Sequence, residues 1–507
     1  MRLSDHYDVI CAGSGLSSYL CAALLAKSGK RVLVIDDEDQ AMPRVCDGEF
    51  VFDPDYVNFS GLDESGALGR SLRELGLIGE NGSAFKPIDE ITQVLTSNYR
   101  IVFWKNATEA CNEVRRELKS SSDHVCEFLK MVYEAGDKVS SFVENAYNPG
   151  QSSATEIAAW KRYWGRFYEP ISRHKPVSMR KVLGDLSGQT CESLVAAILG
   201  AVSYSAPMNL GFEQGVRGLS LPFKGLHYYV GGAEVLKERL ADIIKQAGGG
   251  VKRDAKVESL ISESKRITGV LLSSYEGIVR GDTVVLSSRL RRLYMTLPSE
   301  TRDPSLLRSL SRVQPSSWRF TISVTVNRDV IPIGATSNMA YVGSYQQPLE
   351  EENYLRIQVL PQDGTVDSKN SDRATLLVTA LVPYRSSSMD YGYLRRLGGR
   401  MLRTLAELFP FLEHNIIRIY PDIRSGEQML REFYPFSGPD WVSENLLQYY
   451  VRGQRLVQDF WGPPWTTPHA NLYFAGRSIW PALGIYGEAL TARKIFEDVM
   501  RPGGSSK

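Results

Sequence analysis

The 507-residue chain has no C-x-x-C pair and no Cys–His spacing suited to a metal. Its six Cys (11, 21, 46, 111, 126, 191) and six His (6, 124, 174, 227, 414, 469) are scattered, which excludes a zinc site and a redox dithiol and fits a reducing compartment. Excess charge is also missing. Lys and Arg total 59 against 58 Asp and Glu, a net of +1, so no overall field draws the molecule to nucleic acid or to an acidic bilayer, and no nucleic-acid module is recognisable. Apolar runs are short: the most apolar long window, 9–26, is broken by two Gly and three Ser, so it does not provide the ~20 apolar residues of a bilayer span. The chain starts with a charged, turn-prone segment rather than an apolar leader, which predicts a cytoplasmic location, with peripheral membrane contact left open. No G-x-S-x-G elbow follows a strand, which argues against a hydrolase triad. No second G-x-G-x-x-G appears, which argues against a separate NAD(P)H domain.

What is present is ordinary globular material, 43% hydrophobic and 23% charged, long enough for two or three domains at roughly 150 residues each. Residues 7–12 (YDVICA) read as a buried strand, followed by Gly13-Ser14-Gly15-Leu16-Ser17-Ser18, the G-x-G-x-x-G spacing with Ser in third place. Leu16, Leu20, Ala23 and Leu24 then recur at helical spacing, Ser28-Gly29 stops the helix, and Arg31–Ile35 reads as a second strand ending at Asp36 and Asp37. The residue types suit a dinucleotide. Gly13 permits the tight turn, Gly15 lets the backbone approach a pyrophosphate, and the N–H groups opening the helix at Leu16 and Ser17 receive negative charge. Ser18 is small enough for close helix–strand packing, and Asp36 sits where a carboxylate accepts the ribose hydroxyls.

At the other end, Asn471–Gly476 (NLYFAG) is an apolar strand ending in Gly, and Gly484-Ile485-Tyr486-Gly487 is a turn opening an amphipathic helix over 488–500. Between the ends lie Val230-Gly231-Gly232-Ala233-Glu234-Val235-Leu236, Gly248–Gly250, the strand-like 256–260 and Gly281–Ser287. Taken in order, these segments resemble the FAD-dependent phytoene desaturase and carotenoid isomerase-like family, within the amine-oxidase and Rab GDP-dissociation-inhibitor superfamily, nearly end to end. The resemblance implies an α/β fold: a discontinuous Rossmann-like FAD-binding domain (1–70, 213–290 and 455–507) with an inserted α+β substrate or cap domain (71–212 and 291–454) of helices over an antiparallel sheet. It implies FAD contacts at Gly13, Gly15, Leu16, Ser17, Ser18, Asp36, Asp37, Arg44, Val257, Gly476, Arg477, Ile485, Tyr486 and Gly487, and no metal. Arg477 departs from the family, which has an acid after this glycine. Two outcomes stay open: Arg477 faces the pyrophosphate or solvent while FAD still binds, or FAD binding is weakened or lost because a cation accepts no hydroxyl proton. Arg44 is open between a phosphate contact and a solvated loop.

Residues 68–205 read as largely helical, with apolar spacing over 108–118, 124–143, 155–167, 179–186 and 191–201. WRFTISVTV (318–326), 354–359 and ATLLVTALV (374–382) read as an antiparallel sheet, closed by a helix over 393–408. In 158–169, Trp160, Trp164 and Phe167 share a helical face, open between pocket wall, membrane-surface docking and partner contact. Arg289, Arg291 and Arg292 read as a solvated or salt-bridged cluster.

The function implied is an FAD-dependent oxidoreductase, phytoene desaturase-like, moving hydride between a small apolar or allylic, polyene- or isoprenoid-like substrate and flavin N5. The electron acceptor is open among a quinone, dioxygen and a protein carrier. Tyr486 is the candidate catalytic contact, with packing beneath the flavin as its alternative. Two rivals stay open: a non-catalytic GDI-like carrier of a hydrophobic molecule, and a flavin-dependent isomerase or saturase without net oxidation.

Overall fold

The computed structural model describes residues 6–36, 45–47, 50–52, 58–79, 84–119, 122–145, 179–203, 210–253, 255–273, 277–344, 352–360, 372–434, 446–451, 462–481 and 483–501, with a few isolated positions between them. The first strand, β1 (His6–Ala12), helix α1 (Leu16–Lys27) and β2 (Val32–Ile35) form the expected βαβ unit. β1 and β2 pair in parallel, and their residues from Val9 and Val32 onward are buried, as a strand covered on both faces requires. α1 is buried over nearly all its length, so it carries Ala, Leu and Cys all round rather than one apolar stripe.

The first sheet collects distant parts of the chain. Its order is Gly250–Lys252, β2, β1, Ile278–Leu286, Arg266–Leu272 and Val257–Glu263, and Leu472–Phe474 pairs with Ile278–Leu286. The strands from Gly250–Lys252 across to Leu472–Phe474 run parallel, while the two at the far edge run antiparallel. Two helices, Gly232–Gln246 and Gly484–Met500, pack against α1. Both ends of the chain therefore meet at one sheet.

The second sheet runs Ile416–Tyr420, Val313–Asn327, Arg373–Pro383, Tyr354–Val359, Asn338–Val342, Glu90–Leu95 and Arg100–Trp104, with Leu447–Val451 also on Val313–Asn327. It is antiparallel except where Asn338–Val342 meets Glu90–Leu95 in parallel. Strand alternation sends Trp318, Phe320, Ile322, Val324 and Val326 to one face, where Leu394, Leu397, Met401 and Leu405 of the helix Tyr391–Leu408 complete a core. That core is separate from the larger one beneath the first sheet.

Three expectations change in detail. The interval 68–205 is not all helix: Phe85–Ile88 joins Phe59–Ser60 and Leu226–Tyr229 in a small sheet, and Glu90–Leu95 with Arg100–Trp104 extends the second sheet. The helices expected at 179–186 and 191–201 are one, Met179–Ser203, running through Ser187-Gly188. The last helix starts at Gly484 rather than Glu488. Among the described residues no helix is long and apolar enough to cross a membrane, and no group of His, Cys, Asp and Glu is placed to hold a metal.

Candidate functional site

The glycine loop is where distant segments converge. Gly13 has φ +130°, a conformation side chains rarely adopt, and a β-carbon there would lie 2.2 Å from Ser287 Oγ. Gly476 has φ +95°, and a β-carbon on it would lie 2.5 Å from the Ser287 carbonyl oxygen. Strand ends from 12, 286 and 474 thus crowd together in a space only glycine backbone fills. Ser18 substitutes for the usual third glycine without loss of closeness: it is fully buried, and its Oγ lies 2.7 Å from Ser287 Oγ.

Asp36 ends β2 and is 5% exposed. Its N–H donates to the Lys252 carbonyl at 2.8 Å, and Gly13 N–H donates to the Ile35 carbonyl at 2.9 Å, so the backbone at Asp36 is tied to the neighbouring strand and, one residue back, to the glycine loop. The Tyr19 hydroxyl donates to Asp36 Oδ2, while Oδ1 is buried without a protein partner. Burial, then the Asp36 charge, push the Tyr19 pKa far above its ordinary value, so it remains a donor. A buried carboxylate oxygen without a donor is costly unless a ligand hydroxyl meets it. This is the observation by which FAD fits: Oδ1 stands where the sequence places the ribose acceptor. Tyr19 escaped sequence analysis because nothing in its helical spacing marks it as a partner of Asp36.

The N-terminus of α1 holds a residue the sequence did not single out. Gly15 caps α1 without any side-chain hydrogen bond of its own, and Ser17 N–H donates to Glu488 Oε2 at 3.1 Å. Glu488 Oε1 pairs with Arg477 Nε at 2.6 Å, and their side chains are 2% and 12% exposed. Arg477 therefore faces a carboxylate rather than solvent. The sequence signal was available in the charge: a cation, Arg477, where the resembled family has an acid, and an acid, Glu488, just inside the closing helix. Lys237, 5% exposed, adds a second cation at the loop, its Nζ donating to the Ser14 carbonyl at 3.3 Å and pairing with Glu234.

Tyr486 and Gly487 lie in the first turn of the closing helix, with Ile485 (7% exposed) beside them. The Tyr486 ring is 1% exposed and rests against the backbone of Gly61. Val257 is 3% exposed at the start of the strand Val257–Glu263, and it is the strand Gly250–Lys252, not that one, that adds to β2. Asp37 and Arg44 lie outside the described residues, as do Trp160, Trp164 and Phe167. Of the basic cluster, Arg289 is 7% exposed and caps a short helix, so it is not solvated, whereas Arg291 and Arg292 are exposed. On the second sheet, the face opposite the core carries Arg319 and Arg356, both nearly fully buried, with Thr321 and Thr379 joined at 2.9 Å. The alternating pattern of these strands showed an antiparallel sheet but not how polar that face is.

Fold and loop together point to a class: the fold is the one shared by solved amine oxidases, and the sequence is similar, at 20–22% identity, to proteins named retinol 13,14-reductase, diaponeurosporene oxygenase and prolycopene isomerase. An all-trans-retinol 13,14-reductase of Danio rerio is 22% identical over 533 aligned positions, covering 94% of this chain and 83% of that one. A Danio rerio protein named inactive all-trans-retinol 13,14-reductase is 23% identical over 371 positions, covering 70% of this chain but only 60% of the relative. Among solved structures, a triple mutant of putrescine oxidase superposes with a TM-score of 0.64 at 15% identity over 98% of this chain and 99% of that one, a likeness of fold. No protein-family model matches.

Proposed function

We propose that the protein is an FAD-dependent oxidoreductase, phytoene desaturase-like, that moves hydride between flavin and a small apolar substrate of polyene or isoprenoid type. The observation that carries this reading is Asp36 Oδ1, a buried acceptor without a partner at the end of β2, beside a glycine loop and the N-terminus of α1. The retinoid-directed names of the two relatives support the substrate class.

When bound, FAD supplies the two-electron chemistry. The chain's own residues do the rest. Asp36 orients the adenosine end by accepting a ribose hydroxyl, and Tyr19 keeps that carboxylate fixed by donating to its other oxygen. Gly13 and Gly15 let the backbone approach the phosphates, and the first N–H groups of α1 face them with about half a positive charge from the helix. The closing helix Gly484–Met500 begins with Ile485, Tyr486 and Gly487, and its positive end suits the flavin edge that becomes negative on reduction. Tyr486, buried against Gly61, would help to hold the flavin and to keep water from it. We assign 1–70, 213–290 and 455–507 to the FAD-binding part, and 71–212 with 291–454 to the part that encloses the substrate.

The test is an absorption spectrum of the purified and FAD-reconstituted protein, with a flavin band near ~450 nm expected. Anaerobic addition of polyenes then separates chemistries. Bleaching by substrate means oxidation, and a reaction needing pre-reduced flavin means saturation or isomerisation. A second reading, a non-catalytic carrier of a hydrophobic molecule, is favoured by the carboxylate of Glu488 on Ser17 N–H. That reading predicts no flavin band after reconstitution.

A further inference from the structure

Among the α1 N–H groups that the sequence assigns to an anion, that of Ser17 is already engaged by an anion of the protein itself. Glu488 Oε2 accepts it at 3.1 Å, from a residue 471 positions further along the chain. The carboxylate occupies the notch left by a missing side chain, since a β-carbon on Gly15 would lie 2.9 Å from Oε2. Ser17 Oγ lies 3.6 Å from that same point, fully buried and without a partner of its own. A free hydroxyl, a helix N-terminus and a bare glycine converge on one small volume, and a carboxylate stands in it. Glu488 is held there by Arg477, 2.6 Å away on its other oxygen.

Resting on the FAD reading above, we propose that Glu488 is a built-in competitor of the FAD pyrophosphate. Two anions do not share one buried N–H group, so loading requires the Glu488 carboxylate to leave Ser17. Arg477, at the family's acidic position, is the partner that holds Glu488 in place and is left facing the incoming phosphate when it leaves. The pair thus sets cofactor affinity through an ion pair that opens, without any change in the adenosine contacts at Asp36. It also explains how a cation is tolerated at position 477: its charge is matched by Glu488 inside the protein.

The experiment is a titration of deflavinated full-length protein with FAD, read by quenching of flavin fluorescence, for wild type, Glu488→Gln and Glu488→Ala, with thermal melting of each apoprotein. Inorganic pyrophosphate serves as a second, flavin-free probe by thermal shift. The expected result is FAD bound at least tenfold more tightly by Glu488→Gln than by wild type, with a larger pyrophosphate shift. Glu488→Gln keeps the size of the side chain, so it reports even where Glu488→Ala fails to fold. Equal or weaker FAD binding by the Gln variant overturns the competition, weaker binding meaning that Glu488 is a cofactor ligand. Failure of wild type and both variants to bind FAD at all overturns the FAD reading itself, and the inference with it.

Discussion

The Oγ atoms of Ser18 and Ser287 lie 2.7 Å apart, fastening the first turn of α1 to the end of the strand Ile278–Leu286, 269 residues later in the chain. Because both are buried, α1 sits directly on the sheet and its N–H groups stay close to the strand ends. Ser18→Ala removes one hydrogen bond and should cost about 1 kcal/mol. Ser18→Leu pushes the helix off the sheet, and overpacking of about 1–3 kcal/mol should come with reduced FAD affinity. Urea unfolding with parallel FAD titration checks both.

Asp36 predicts a separation of binding from stability. Asp36→Asn removes the charge and one acceptor where Oδ1 stands free, so FAD should bind about tenfold more weakly, a change of about 1.4 kcal/mol. Tyr19→Phe frees Oδ2 and should cost about 1 kcal/mol of stability through the lost hydrogen bond. Calorimetric FAD titration and thermal melting of the two variants measure this. Equal FAD affinity in Asp36→Asn and wild type would remove Asp36 from the cofactor site.

How much of this was legible in sequence differs by residue. Gly13, Gly15 and the strand–helix–strand spacing were readable because turn geometry and helical period act over a few residues. Asp36 was readable from its place at the end of the second strand. Glu488 and Tyr19 were not, since each matters through one long-range contact that no local pattern encodes. The strands at 85–104 were hidden by Pro87 and Asp89, which break a β pattern, and by the strongly helical sequence that follows. The joining of 179–186 to 191–201 was obscured by Ser187-Gly188, a pair that reads as a stop but is carried through within one helix.

Leu405 tests whether the second core stands apart from the cofactor. It is fully buried against the second sheet, and Leu405→Ala should cost about 2–5 kcal/mol. FAD affinity of the folded fraction should stay within about twofold, since that core shares no residue with the glycine loop. Denaturant titration with and without FAD measures both quantities.

His227 predicts an acid-sensitive element. Burial first, then the charge of Lys105, lower its pKa below the ordinary 6.5. The unfolded chain therefore binds more protons than the folded chain near and below that value, and stability falls as pH drops through about 6.5. His227→Gln should flatten that part of the pH–stability curve, measured by melting temperature between pH 5 and 8, about the range over which His titrates. An unchanged curve would assign the loss to carboxylates elsewhere.

The measurement that bears most directly on the whole account is the stoichiometry and spectrum of FAD bound after reconstitution. The meeting of β1, α1, the strand Leu472–Phe474 and the helix Gly484–Met500 at the glycine loop predicts about one FAD per chain, with a flavin band near ~450 nm that Asp36→Asn weakens. No bound flavin at saturating FAD, in wild type and in Glu488→Gln alike, would contradict it.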